Sequence, residues 1–510
     1  TRPFPTDTGV DVGCFEFKLD TISLAIASLI SPEALSLTSN KVSCEIVNAG
    51  THHIYNKTYR IAYSIDGSTW VSDSLIIDTL LTGQALTFSF LNRFSLATPQ
   101  DVSLEIVIDN WPLQNTGLTA ESRTFNLCFG LLGGTYTIGK TGDYKTINEA
   151  ISALKCGIAS SVVFEIEDGT YDEEIVFRKT PGASHTRTIT FISKSKKASK
   201  VKIASNSLYV LDFLPAHPVL FKNITVRSKH VAKGLYNTVR ISARSNQVQF
   251  DSCVINGPSG SSAFAVLIKS ADSSLFSNCK IYGGKVGLVI EGNRAQQAPN
   301  GNSIVNSEIK HFRSGAFVAN YSNGTSIISS VIDSSLADTA SQFLKDVEFF
   351  NSTEINFQQN KVFSNCIALN LQDCEHQSNG YSLFASNQFI SKGFSGLVFN
   401  ESDSIRFLHN TILHKGDFSG VRVTYGLNHR WLYNNIVIVG VVEGISLELS
   451  GNSLFDFNNI YIKNCNKPII YNNQGFQNNE NLKSTLGVNM NGFNTKPYFK
   501  NNRELKHHSA

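Results

Sequence analysis

The chain has 510 residues, with 44 basic against 41 acidic side chains and a formal net charge of +3, a balance that leaves no basic footprint for nucleic acid. No run approaches the ~18–20 apolar residues that span a bilayer, and the apolar stretch LDTISLAIASLI at 19–30 is broken by Asp20, Thr21 and serines, so no membrane insertion is expected of this segment. One methionine, Met490, few helix formers and recurrent turn residues favour an all-β class, built as two to four domains or as a repeat.

Residues 1–18 contain DTGVDVGCFEF (7–17), which reads as the end of a β unit rather than its start. From 19 to 130, short runs alternate apolar and polar: KVSCEIVN (41–48), YRIAYSI (59–65), WVSDSLII (70–77), ALTFSF (85–90) and VSLEIVID (102–109). Turn residues separate them, the pattern of an immunoglobulin-like sandwich. The stretch CEIVNAGTHHI resembles the strand and turn of adhesion modules that sit between larger domains in secreted bacterial proteins. His52 and His53 in that turn have no ligand-type neighbours and read as solvent-exposed.

LLGGTYTIGKTGDYKTINEAISALKCG (131–157) changes the pattern. Thr146 with Glu149 forms a capping box, Ile147, Ala150, Ile151 and Leu154 form one apolar face, and Gly157 ends a helix predicted over 146–155.

From there to about residue 470 a motif recurs on a large apolar anchor: Phe221, Phe250, Phe276, Ile304, Ile327, Phe357, Phe384, Phe407, Trp431 and Phe455, at spacings of 23 to 30 residues. Five residues on, every position is apolar, from Val226 to Ile460. Four residues before, Asn246, Asp272, Asn300, Asn323, Gly380, Asp403 and Gly451 suggest a turn at positive φ. Three residues on stand Ile224, Cys253, Cys279, Ser307 and Ser330, then Asn360, Asn387, Asn410, Asn434 and Asn458. A second strand per coil follows glycine in GLVI (287–290), GAFV (315–318), GLVF (396–399), GVRV (420–423) and GISL (444–447), where glycine is expected to let the backbone turn sharply.

A period near 26 with fixed apolar and amide columns predicts a parallel β-helix of about a dozen coils over 131–510. Stacked amides are expected to bond to the next coil. The nine cysteines show no CxxC and read as mostly buried thiols, with Cys253 and Cys279 one above the other as stacked thiols or, alternatively, a disulfide.

The phrases GTYTIGKTGDYKTINEAISAL and VVFEIEDGTYDEEIVF resemble the cap and first coils of right-handed parallel β-helix proteins, among them pectin methylesterases, pectate lyases and large secreted repeat proteins of gliding bacteria. The resemblance covers about 132–510. It implies that NTKPYFKNNRELKHHSA (494–510) belongs to a last coil at 491–510, whose closing signature would read like residues 7–17. The chain is then expected to be a slice of a tandem array, with adjacent repeats of the same polypeptide as partners and lateral assembly into a homo-oligomeric filament.

The chemistry of those enzymes is not carried by this chain. Where pectin methylesterases place two Asp and an Arg, it has INGPSGSSAFAVLI (255–268) and IYGGKVGLVIEGN (281–293), and it has no Asp-Asp or His-Gly dipeptide. The remaining carboxylates, Asp373, Glu375, Glu401 and Asp403, lie about one coil apart, the spacing of an acid and base or of a calcium site. Asp403 falls in the turn column, and Asp373 and Glu375 fall out of line with Phe384, so no catalytic, cofactor or metal site is expected. His409 and His414 read as surface residues. The expected function is a structural and adhesive module of an extracellular, cell-surface filament or adhesin, without catalysis. A polysaccharide-active lyase or esterase and a module for surface glycans are the alternatives.

Overall fold

The computed structural model describes residues 23–492, apart from 33–34, 98–99, 110–120, 128–131, 217, 230–236, 243–244, 259–262, 293–298, 335–343 and 377–379. The segment at 1–18 and residues 493–510 of the closing coil lie outside the described residues. Two units divide after Leu132.

The first unit is all antiparallel. Its strands are β1 (Leu24–Ser31), β2 (Ser43–Asn48), β3 (Ile54–Ile65), β4 (Val71–Leu80), β5 (Ala85–Ser89), β6 (Val102–Asp109) and β7 (Glu121–Leu127). They form one sheet in the order β1-β2-β5 and another in the order β4-β3-β6-β7. Alternation along β6 buries Val102, Leu104, Ile106 and Ile108, and these join Ile26, Cys44, Ile46, Ile61 and Tyr63 in one core. This is a sandwich in which the fourth strand has joined the sheet of the third, an immunoglobulin-like arrangement.

The second unit is a parallel β-helix of three sheets, with 13, 12 and 13 strands. The first sheet carries the anchors in register: Phe221 opposite Phe250, Phe250 opposite Phe276, Phe357 opposite Phe384, Phe407 opposite Trp431. Like side chains stack along the interior. The rings of Phe191, Phe221, Phe250 and Phe276 lie 5.1 to 5.4 Å apart and within 19° of parallel. At the N-terminal end, α1 (Ile147–Ala153) buries Ile147 and Ala150. Half of its capping box forms as expected, Glu149 N–H donating to Thr146 Oγ1 (3.1 Å), while Glu149 Oε2 accepts the N–H of Lys145 (2.7 Å), one residue before the cap, rather than that of Thr146. Glu173 from the first coil accepts the N–H groups of Ile147 and Asn148, so a carboxylate meets the donor end of the helix. At the other end, α2 (Asn479–Leu486) runs from an Asn478 cap to Gly487 at φ 64° and buries Leu482.

The anchor strand and the next strand are joined by two residues in all ten coils. The first of the two is left-handed every time, from Asn223 through Ser252, Asn278 and His409 to Phe457, with φ between 48° and 60°. The column four residues before the anchor behaves otherwise than expected. Of its seven turn-type residues only Gly451 has a positive φ. Asn246, Asn300 and Asp403 instead stay in parallel register with the next coil, and the bend comes one residue later, at Gln247, Ser273, Gly301, Gly324, Glu354, Ser404 and Asn428.

The glycines of the third sheet also have a different role. Gly287, Gly396, Gly420 and Gly444 lie inside their strands rather than before them, and none has a positive φ. They are small because a Cβ would strike a neighbour: Gly420 O at 2.3 Å from Gly396, Ile438 Cδ1 at 2.2 Å from Gly420, Pro468 O at 2.2 Å from Gly444. The obstacle at Gly396 is backbone and cannot swing away. Gly396→Ala is therefore expected to cost roughly 1–3 kcal/mol in urea unfolding, while Gly475→Ala, with open space around its Cβ, stays near parent.

Candidate functional site

The most regular side-chain array is the amide column. Asn360, Asn387, Asn410, Asn434 and Asn458 are all fully buried, each 1 % exposed or less. Each Nδ2 donates to the anchor carbonyl of the preceding coil, not the next: to Ile327, Phe357, Phe384, Phe407 and Trp431 at 2.8 to 2.9 Å. Each Oδ1 accepts the backbone N–H of the column residue before it, from Ser330 to Asn434. Asn489, which the anchor spacing does not reach, ends the column by accepting from Asn458 N–H and is itself held by Asn479. Towards the N-terminus the column passes through Ser330 and Ser307 to Cys279 and Cys253. Both cysteines are free and buried, and burial with mutual contact holds the Cys253 thiol well above its ordinary pKa. Cys156, at the end of the short helical turn that follows α1, is disulfide-bonded, an exception among cysteines that are mostly buried thiols. The amides, serines and cysteines of the column are buried and hold the coils together.

The four carboxylates are not gathered into one group. Asp373 and Glu401 occupy the same left-handed position after successive third-sheet strands, at φ 53° and 47°, and point out of the coil with Glu375, which is exposed. Among the described residues no group of three His, Cys, Asp or Glu side chains is placed to hold a metal ion.

Asp403 is engaged differently. Its Oδ1 accepts the backbone N–H of His376 at 2.7 Å and faces His376 Nδ1 at 3.1 Å. His376 Nε2 accepts Glu354 N–H and lies 3.0 Å from Ser382 Oγ, so the ring proton sits on Nδ1, toward Asp403. The order Asp403, His376, Ser382 is that of an activated hydroxyl. However, Ser382 is 0 % exposed and its Oγ also accepts Ile355 N–H at 3.0 Å. A substrate cannot reach it, and the relay serves to pin the corner onto the first sheet. His376 and Asp403 stand 27 residues apart, one coil, which is the signal in the sequence that could have paired them.

Beside this corner lies a groove on the outer face of the first sheet, with two lobes of about 370 and 340 Å³ that share Gly380 and Tyr381. One lobe is lined by Glu354, Asn356, Gln358 and Leu383. The other is lined by Ser404, Arg406, Asn428, Arg430 and Asn452. Tyr381 is 40 % exposed, and the Arg406 guanidinium lies 3.4 Å from its ring centroid, a stacked cation–π contact that fixes both. An aromatic plate, two guanidiniums and a row of amides give stacking and many donors, the means by which a surface holds a polar, hydroxyl-rich chain.

The two histidines on one coil differ. His409 is exposed and stacks on Tyr433 (5.0 Å, 6°), which stacks in turn on Phe457. His414 is 0 % exposed, not a surface residue: it faces inward at the corner between the second and third sheets, with Nδ1 2.6 Å from Ser391 Oγ. Burial lowers its pKa to about 4.

No protein-family model and no curated protein matches the chain. Solved structures do resemble it: a periplasmic alginate epimerase at 10% identity over 59% of this chain and 65% of the epimerase (TM-score 0.32); a surface adhesin of Streptococcus pneumoniae at 14% over 68% and 88% (TM-score 0.35); and a pectate lyase at 11% over 64% and 80% (TM-score 0.30). The chain thus spans just under two thirds of the epimerase. At such identities the likeness is one of fold alone.

Proposed function

We propose that this chain is an adhesive module of an extracellular protein, its β-helix presenting the first-sheet groove to surface glycans, without catalysis. The observation that carries this reading is the lining of the groove. It offers Tyr381, Arg406, Arg430 and four amides, with Glu354 as the one carboxylate among its described lining residues. Acid–base cleavage of a glycoside calls for a pair of carboxylates flanking the bond, and the nearest relay ends on a hydroxyl sealed from solvent. The disulfide at Cys156 supports an oxidising compartment. No described helix is long and apolar enough to cross a membrane.

The reading is tested by incubating the purified chain with a panel of immobilised polysaccharides. Retention of the protein, with no release of reducing ends, unsaturated sugars or methanol, is the expected result. Turnover of any member of the panel would replace adhesion with the lyase or esterase alternative.

A further inference from the structure

In a parallel β-helix, outward side chains of successive coils stand directly above one another about 4.8 Å apart, so charges in register interact strongly. In this one, the register pairs its charges with opposite sign. Asp212 stands beside Arg240, Lys222 beside Asp251, Lys280 beside Glu308, Lys310 beside Asp333, and Glu443 beside Lys467. Several close into ion pairs, Arg240–Asp212 at 2.6 Å and Lys222–Asp251 at 2.9 Å. Within the strand ladders of the described residues, Arg406 beside Arg430 is the one pair of like charge; Asp373 and Glu401, alike in charge, follow one another outside the strands.

Neither arginine has an acidic side chain within ion-pair distance among the described residues. The acid of the adjoining corner, Asp403, is taken by His376. Arg406 is held on the Tyr381 ring and Arg430 is exposed, and both line the same lobe, which has no carboxylate among its described lining residues. Like charges directly opposite on a sheet are destabilising. The arrangement is relieved by an anion shared between the two guanidiniums, whose planar forks match carboxylate and sulfate oxygens.

We infer that the Arg406–Arg430 lobe is a site for the acidic group of an anionic polysaccharide, a uronate carboxylate or a sugar sulfate, with Tyr381 stacking on a sugar ring and Asn428 and Asn452 placed for its hydroxyls. This rests on the adhesive reading above and specifies its ligand. A nucleic acid would require a broad basic tract; the lobe carries two charges on a near-neutral chain.

The test measures binding of the full chain to polygalacturonate, to heparin, to a carboxyl-free sulfated dextran and to neutral dextran, at low and high salt, for the parent and the R406Q/R430Q variant. Expected are at least tenfold tighter binding of an acidic polymer than of neutral dextran, weakening with salt, and at least tenfold loss in the double variant. Polygalacturonate without sulfated dextran assigns a carboxylate site, and the reverse a sulfate site. Equal binding of neutral and acidic polymers, unchanged in the variant, overturns the anion site and leaves the adhesive reading standing. Binding of none overturns both. The urea midpoint of R430Q supplies an independent check: equal to or above parent is expected for an unpaired guanidinium, and a clear fall would show that Arg430 is structurally paired and overturn the site.

Discussion

Asn410→Leu is expected to lower the stability of the β-helix by about 4 kcal/mol. Two backbone groups lose their partners at once. Phe384 O is left without the Nδ2 donor at 2.9 Å, and Asn387 N–H without the Oδ1 acceptor at 2.9 Å. Each orphaned buried group costs ~1–3 kcal/mol, and leucine fills the volume without replacing either bond. The amide contacts to Asn387 Nδ2 and Asn434 Oδ1 are lost as well. Because Asn410 links three coils, the damage falls in the middle of the stack, where neighbours cannot re-pair with water. Asn435→Ala, one coil on and facing outward beside Asn459, is the control, with a change within ~0.5 kcal/mol. Urea midpoints of both variants decide the matter: a loss in N410L no greater than in N435A would mean that the column is ornamental and that the packed anchors alone hold the coils.

The sequence discloses what stacking repeats and hides what varies from coil to coil. An interior position meets the same surroundings in every turn, so Phe221 to Phe276 and Asn360 to Asn458 stand out against the period. Asn489 escaped because α2 lies between it and Asn458 and breaks the spacing, although Asn478 and Gly487 frame that helix as a cap and a stop. The bend lies one residue beyond the Asn/Asp column because asparagine and aspartate suit an outward bridge as well as a left-handed bend. His414 looked superficial because His409, on the same coil, is exposed; the small polar residues at the same distance from earlier anchors, Ser334, Ser364 and Ser391, mark that corner as inward. The groove left almost no trace. Arg406 and Arg430 each precede an anchor, but outward columns accept any polar residue, and only the register shows that their charges face each other.

Asp346 yields the second large effect, and it is one of pH. It lies in the third-sheet column that otherwise holds Ala316, Ala368, Gly396 and Gly420, is 1 % exposed, and has one oxygen 2.6 Å from Ser334 Oγ and the other without a partner. Burial, reinforced by nearby Asp333, raises its pKa to about 7 against the lowering effect of the serines. The folded protein therefore binds this proton more tightly than the unfolded chain. Its contribution is fully present below pH ~4 and is lost as pH rises through about 7. A shift of this size corresponds to roughly 4 kcal/mol across the window. His414 and His429, both lowered to about 4 by burial, act in the opposite sense, losing stability as pH falls from the ordinary histidine range through about 4. The total profile mixes the two, so the difference between Asp346→Asn and parent is the quantity to measure. Asparagine keeps the shape and cannot ionise. The variant is expected to match the parent near pH 4 and to exceed it in urea midpoint at pH 8. A midpoint difference that stays constant from pH 4 to pH 8 would show that Asp346 titrates in the folded β-helix as it does in the unfolded chain, and that water or a cation reaches the oxygen that now lacks a partner.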